Sequence, residues 1–141
     1  MIRKLQEEDI ETVITIWKEE NIKAHDFISA SYWYSQIDMM KRELPQSEVY
    51  VYLDSKDNIV GFIGLAGEYI AGLFVSQKKQ SSGIGKQLLD YVKTQKNKLT
   101  LEVFEKNQRA IDFYQREGFV IKKENIDEDT GEKEFVMVWK K

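Results

Sequence analysis

Ile10, Val13, Ile14 and Trp17 recur at the i, i+3, i+4 and i+7 spacing of one helical face. The carboxylates of Glu7, Glu8 and Asp9 precede them, where the partial positive charge of a helix start favours anions. The pattern predicts a helix with its apolar stripe on a core, preceded by a short strand over Ile2 to Leu5. Val49, Val51 and Leu53 alternate with Tyr50 and Tyr52, which predicts a strand, and Pro45 closes the region before it. Asp54 to Asn58 is turn chemistry, Ile59 to Leu65 reads as a returning strand, and Glu68 to Val75 completes a meander. Between the first helix and Pro45, the stretch Asn21 to Leu44 holds Phe27, Tyr32, Trp33, Tyr34 and the only histidine, His25. It reads as one or two irregular helices.

The second half changes topology. Ile84, Leu88 and Val92 set a helical stripe, and Leu99, Leu101 and Val103 set a strand. A strand, helix, strand crossover puts Glu68 to Val75 and Lys98 to Val103 parallel in one sheet. Asn107 can cap a further helix through Ala110, Ile111, Phe113 and Tyr114, which stops at Gly118. Phe119 to Ile126 and Glu134 to Trp139 flank the polar turn Asp127 to Gly131 and read as a hairpin. A single mixed α/β domain over residues 1–141 is the expected organisation.

Composition narrows the partners. A net charge of −3 over 141 residues gives no broad basic field, so nucleic acid is not expected. No apolar run approaches a membrane-spanning length and the first residues carry no secretory pattern, so a cytoplasmic protein is expected. The absence of cysteine removes disulfides and thiolate nucleophiles. With one histidine as well, metal catalysis has no ligand set, and none is expected. Monomer and homodimer are equally compatible with the sequence.

The chemistry concentrates in Gln80-Ser81-Ser82-Gly83-Ile84-Gly85-Lys86, between a strand and a helix. Two glycines allow close backbone approach, and a helix start offers unpaired N–H groups to an anion such as a pyrophosphate. A Walker loop would need glycine where Gln80 stands and a hydroxyl residue at Gln87. A Rossmann fingerprint would need a small residue at Leu88 and a longer chain beyond it. A plain flexible turn is the remaining alternative at this level.

Taken in order, the motifs resemble the GNAT acetyl-CoA-dependent N-acetyltransferases. Leu73-Phe74-Val75 with Gln80-Ser81-Ser82-Gly83-Ile84-Gly85 is similar to that family's Gln/Arg-x-x-Gly-x-Gly/Ala loop, and Asn107, Ala110, Phe113-Tyr114 and Gly118-Phe119 are similar to its second pattern. The resemblance implies a central mixed sheet with helices on both faces and a V-shaped gap between two parallel strands. It implies pantetheine beside Leu73, Phe74 and Val75, and the coenzyme A pyrophosphate on the loop from Gln80 to Lys86, with Asn107 and Tyr114 completing the site.

In the family a tyrosine in the position of Tyr114 protonates the leaving thiolate. Packing as a core aromatic is its alternative role. An ammonium with a pKa of about 10.4 must lose a proton before attack. Glu68 is the first candidate base and His25 the second, since imidazole titrates near neutrality. Acetyl would pass from acetyl-CoA directly to a primary amine: a protein lysine, an N-terminus, a polyamine and an aminoglycoside are all open. A non-catalytic module that binds coenzyme A is the competing reading.

Overall fold

A computed structural model of the chain describes residues 1–80 and 82–141. Ser81, expected in the phosphate loop, lies outside the described residues. Seven strands form one sheet: β1 (Ile2–Lys4), β2 (Glu48–Leu53), β3 (Ile59–Ala66), β4 (Tyr69–Val75), β5 (Lys98–Phe104), β6 (Val120–Ile126) and β7 (Lys133–Lys140). Their order across the sheet is β1-β2-β3-β4-β5-β7-β6. Five α-helices accompany them: α1 (Ile10–Ala24), α2 (Ala30–Ser35), α3 (Ile37–Glu43), α4 (Ile84–Lys93) and α5 (Gln108–Arg116).

The alternation read in β2 has a two-sided cause. Val49, Val51 and Leu53 pack with Val13, Ile14 and Ile16 of α1, while Tyr50 faces the opposite core with Leu88, Leu89 and Val92 of α4 and Ile111 and Tyr114 of α5. Helices therefore cover both faces, and each strand residue is spent on one core or the other. Asp9 is buried at the start of α1, where Arg3 donates to both of its oxygens at 2.6 and 3.1 Å and the Gln6 N–H donates at 2.7 Å. The Arg3 hydrogen bond in particular holds the Asp9 carboxyl below its usual range.

Two sequence expectations shift. The first helix runs on through Asn21 to Ala24, so only residues beyond His25 form the short irregular helices α2 and α3. Glu68 lies in the tight turn with Gly67, whose φ is +62°, and β4 begins at Tyr69. The polar turn takes both residues because a tight β3–β4 connection requires a positive φ there.

The sheet opens where the parallel crossover joins it. β4 and β5 pair only at Tyr69 and Thr100, with the Thr100 N–H donating to the Glu68 carbonyl at 2.9 Å. Beyond that point the strands diverge, while β4 stays paired with β3 and β5 with β7. A register shift opposite Gly64 and Leu65 leaves Ala71 of β4 without a ladder partner, a bulge that turns the strand. The result is a wedge-shaped gap in the middle of the sheet.

Candidate active site

A cavity of about 950 Å³ lies at the open end of this gap. Leu73, Phe74 and Val75 at the end of β4, Gln80, Gly83, Ile84, Gly85 and Lys86 at the loop and α4, and Asn107 and Tyr114 at α5 all line it, together with His25. The lining runs from Glu20 to Glu117, because the end of β4 and the starts of α4 and α5 meet there.

Gly83 caps α4 with φ +84° and ψ 4°, a left-handed conformation that costs other residues energy. The first N–H groups of α4 have no intrahelical acceptor, and the residues that carry them, Gly83 to Lys86, line the cavity. The side chains of the loop have other duties. Gln80 donates from Nε2 to Glu20 and to the Val75 carbonyl, both at 2.9 Å, and its Oε1 accepts from Arg109 at 2.8 Å. Glu20, buried on α1, also accepts from the Gln77 N–H at 3.3 Å. Gln80 is thus a brace joining α1, β4 and α5.

Lys86 reaches Glu117 at 3.1 Å and Asp90 at 3.3 Å on the exposed side of α4, so its ammonium is already paired. The Ser82 hydroxyl donates to the Lys79 carbonyl. The groups left without a side-chain partner here are main-chain N–H groups at the start of α4.

Tyr114 is 8% exposed and packs edge-on against Phe113 and Phe119. Burial raises the pKa of its phenol well above the ordinary value, so it stays protonated across the physiological range. Among the described residues its hydroxyl has no hydrogen-bond partner, although it borders the cavity. Asn107 caps α5, with Oδ1 accepting from the Ala110 N–H at 3.2 Å and Nδ2 lying 3.1 Å from His25 Nε2. Burial pushes the His25 pKa down to about 4, against a weaker opposing pull from the Asn21 backbone. His25 is therefore neutral near pH 7.

Glu68, expected as a base, is exposed in its turn and lines neither this cavity nor a second, acidic one. That second cavity, of about 490 Å³, is bordered by Glu102, Asn125, Asp127, Glu128, Asp129 and Glu134. Tyr69, the last residue of β4 to pair with β5, donates across to Glu102 at 3.2 Å. Burial and then the Glu102 charge raise the Tyr69 pKa.

Glu134 sits opposite Phe104 in the β5–β7 ladder, so it shares a sheet face with Glu102 two residues away. Burial, followed by the hydrogen bond and charge of Glu102, raises the Glu134 pKa to about 8, while the bond from Glu134 lowers that of Glu102. The pair thus favours the protonated form at Glu134 and the charged form at Glu102. Tyr32 of α2 donates to Asp129 at 3.2 Å and ties the rim of this cleft to the helices.

Sequence reasoning did not single out Glu20, Arg109, Tyr69 or Glu134. Glu20 did carry a signal. It follows Trp17 by three residues on the apolar stripe of α1, where a carboxylate needs a partner once buried.

Residues 6–140 match the acetyltransferase (GNAT) domain family. The chain belongs to this family. It is 33% identical over 141 residues to the peptidyl-lysine N-acetyltransferase YiaC of Escherichia coli, covering 99% of this chain and 96% of that protein. The solution structure of apo YjaB from Escherichia coli superposes with a TM-score of 0.87 at 27% identity, over 99% of this chain and 96% of that one. An acetyltransferase of Bacillus anthracis solved with acetyl coenzyme A superposes with a TM-score of 0.61 at 25% identity, over 67% of this chain and 62% of that one. The protein is an acetyltransferase enzyme, which favours catalysis over a binding module. Among the described residues no group of three His, Cys, Asp or Glu side chains converges as a metal site, and no helix is long and apolar enough to cross a membrane.

Proposed function

We propose that this GNAT enzyme transfers acetyl from acetyl-CoA directly to the side-chain amine of a lysine in a protein or peptide. The observation that carries this reading is the gap between β4 and β5: the end of β4 and the start of α4 line one cavity, and Glu102 of β5 lines a separate acidic cleft. Pyrophosphate is a fit for the start of α4 behind Gly83, and unpaired β4 amides near Leu73 and Val75 suit the extended pantetheine arm. The names of YiaC and YjaB, both peptidyl-lysine N-acetyltransferases, support lysine as acceptor. A cytosolic setting suits a cysteine-free chain that uses this donor.

A lysine ammonium in the acidic cleft is attracted by Glu102, Asp127 and Asp129, and must shed a proton before its nitrogen can attack. Glu134, with a pKa of about 8, is the carboxylate best matched to accept it, directly or through water. His25 is poorly placed for this role because Asn107 faces its Nε2. Attack forms the C–N bond, and collapse of the tetrahedral adduct breaks the C–S bond. Tyr114 gives its proton to the departing sulfur and regains one from solvent, while the proton taken by Glu134 and the second amine proton leave to solvent. The products are the acetylated amine, coenzyme A thiol and one released proton.

Thiol release is measured with a lysine peptide, a peptide whose only amine is its N-terminus, a polyamine and an aminoglycoside. The lysine peptide is expected to turn over fastest, and its rate should rise as Glu134 deprotonates through about pH 8, a limb lost in Glu134→Gln. A polyamine or aminoglycoside used in preference to the peptide would contradict the acceptor assignment.

A further inference from the structure

We infer that His25 is a positioning residue, whose Nε2 lone pair holds the Asn107 amide in the orientation that caps α5 and so sets the placement of Tyr114. This rests on Tyr114 acting in the transfer, as proposed above. Asn107 has one carbonyl and one NH2 group. Its Oδ1 is taken by the Ala110 N–H at 3.2 Å, so its NH2 is the group that faces His25 Nε2 at 3.1 Å. A donor in that place requires an acceptor opposite, which leaves Nε2 as the lone pair and puts the single ring proton on Nδ1. The helix cap thereby determines a tautomer in a residue 82 positions away.

The ring cannot readily turn to serve otherwise. Trp33 stacks on it at 5.4 Å and 29°, and Phe27 and Phe104 meet it edge-on at 5.6 and 5.0 Å. Its Nδ1 is buried and, among the described residues, makes no hydrogen bond of ordinary geometry, although the Asn21 backbone pulls weakly on the ring, a state that persists where the surroundings hold the ring. The charged groups that line the same cavity include Glu20 and Lys23 of α1, Lys106, and Arg109 of α5, with Asp26 and Glu105 adjacent in the chain and the Lys106 ammonium 5.2 Å over the Phe27 ring. None of them is a cause of its shifted titration, which burial dominates.

A second ring proton would set a donor against the Asn107 NH2 and release the cap. The same geometry removes His25 as a general base, because the lone pair that would take the proton is in use.

The chain has one histidine, so its imidazole resonances are unambiguous in the full-length protein. Nitrogen-15 NMR is expected to show the Nδ1–H tautomer with no titration between about pH 5.5 and 8. An Nε2–H tautomer, or titration at the ordinary histidine value, would overturn the inference. Asn107→Asp keeps an oxygen cap but sets a carboxylate against Nε2, and should move the proton to Nε2 and raise the histidine pKa. No change of tautomer there would also overturn it.

In turnover, His25→Leu should lower kcat by about 10- to 100-fold with little change in KM for acetyl-CoA. His25→Gln, whose Oε1 can stand near the lost Nε2, should recover most of it. Equal losses in two folded variants would contradict the positioning role. If wild-type protein transfers no acetyl group, the functional reading fails instead, while the tautomer still tests the link from His25 to Asn107.

Discussion

Replacing Tyr114 with phenylalanine removes one oxygen from the cavity and leaves the ring in its packing against Phe113 and Phe119. The hydroxyl makes no hydrogen bond within the described chain, so its loss should change folding stability by less than about 1 kcal/mol. The catalytic effect depends on what the phenol gives the leaving sulfur. In water a phenol at about 10 and a thiol at about 8.5 differ by about 1.5 pKa units, so full proton transfer to a thiolate is uphill by about 2 kcal/mol. Burial raises the phenol further, and the same apolar cavity raises the thiol with it. Tyr114 is therefore best described as donating a strong hydrogen bond as negative charge grows on sulfur, with transfer completed late. A hydrogen bond to a charged group contributes about 1.5–3 kcal/mol, which corresponds to a loss of about 10- to 150-fold in kcat. Thiol release under saturating acetyl-CoA, beside a chemical denaturation curve for each protein, measures both quantities. Unchanged kcat in a folded Tyr114→Phe protein would refute the reasoning. So would a loss confined to KM, since the hydroxyl would then serve ground-state binding.

Other consequences follow from the same geometry. Gly83→Ala places a side chain at φ +84° and should cost about 1 kcal/mol of stability, while weakening coenzyme A binding in calorimetry because the start of α4 tilts. Glu20→Ala removes the acceptor of both Gln80 and the Gln77 N–H, and should raise KM for acetyl-CoA far more than it lowers kcat; an unchanged KM would mean that the brace does not shape the loop. His25 titrates near 4 when folded and at about 6.5 when unfolded, so the unfolded state gains the proton first. The neutral ring's contribution is complete above about pH 6.5 and is lost as pH falls towards 4, by about 3 kcal/mol in total. Urea curves of wild type and His25→Gln should converge over that window, and parallel curves would contradict the assigned burial.

Much of the frame was legible because it depends on local pattern. The period of α1, the alternation of β2, the crossover from β4 through α4 to β5, and the Asn107 cap with Gly118 at the far end of α5 all follow from spacing and turn chemistry. The boundary at Glu68 was less legible, since a polar residue beside Gly67 suits a strand end and a turn equally. Roles within the site depended on partners distant in sequence. Gln80 and Lys86 carry the motif, yet Glu20, Arg109 and Glu117 decide what their side chains do. The raised titration of Glu134 comes first from burial and then from Glu102, which β5–β7 pairing brings to the same face. Among 24 acidic residues, nothing local marks those two.

A crystal structure of the protein with acetyl-CoA tests the central claim most directly. The account predicts pyrophosphate oxygens within hydrogen-bond distance of the main-chain N–H groups from Gly83 to Lys86, pantetheine between β4 and β5, and the thioester sulfur beside the Tyr114 hydroxyl. Acetyl-CoA bound outside the gap, or a sulfur remote from Tyr114 with the chain otherwise unchanged, would contradict it.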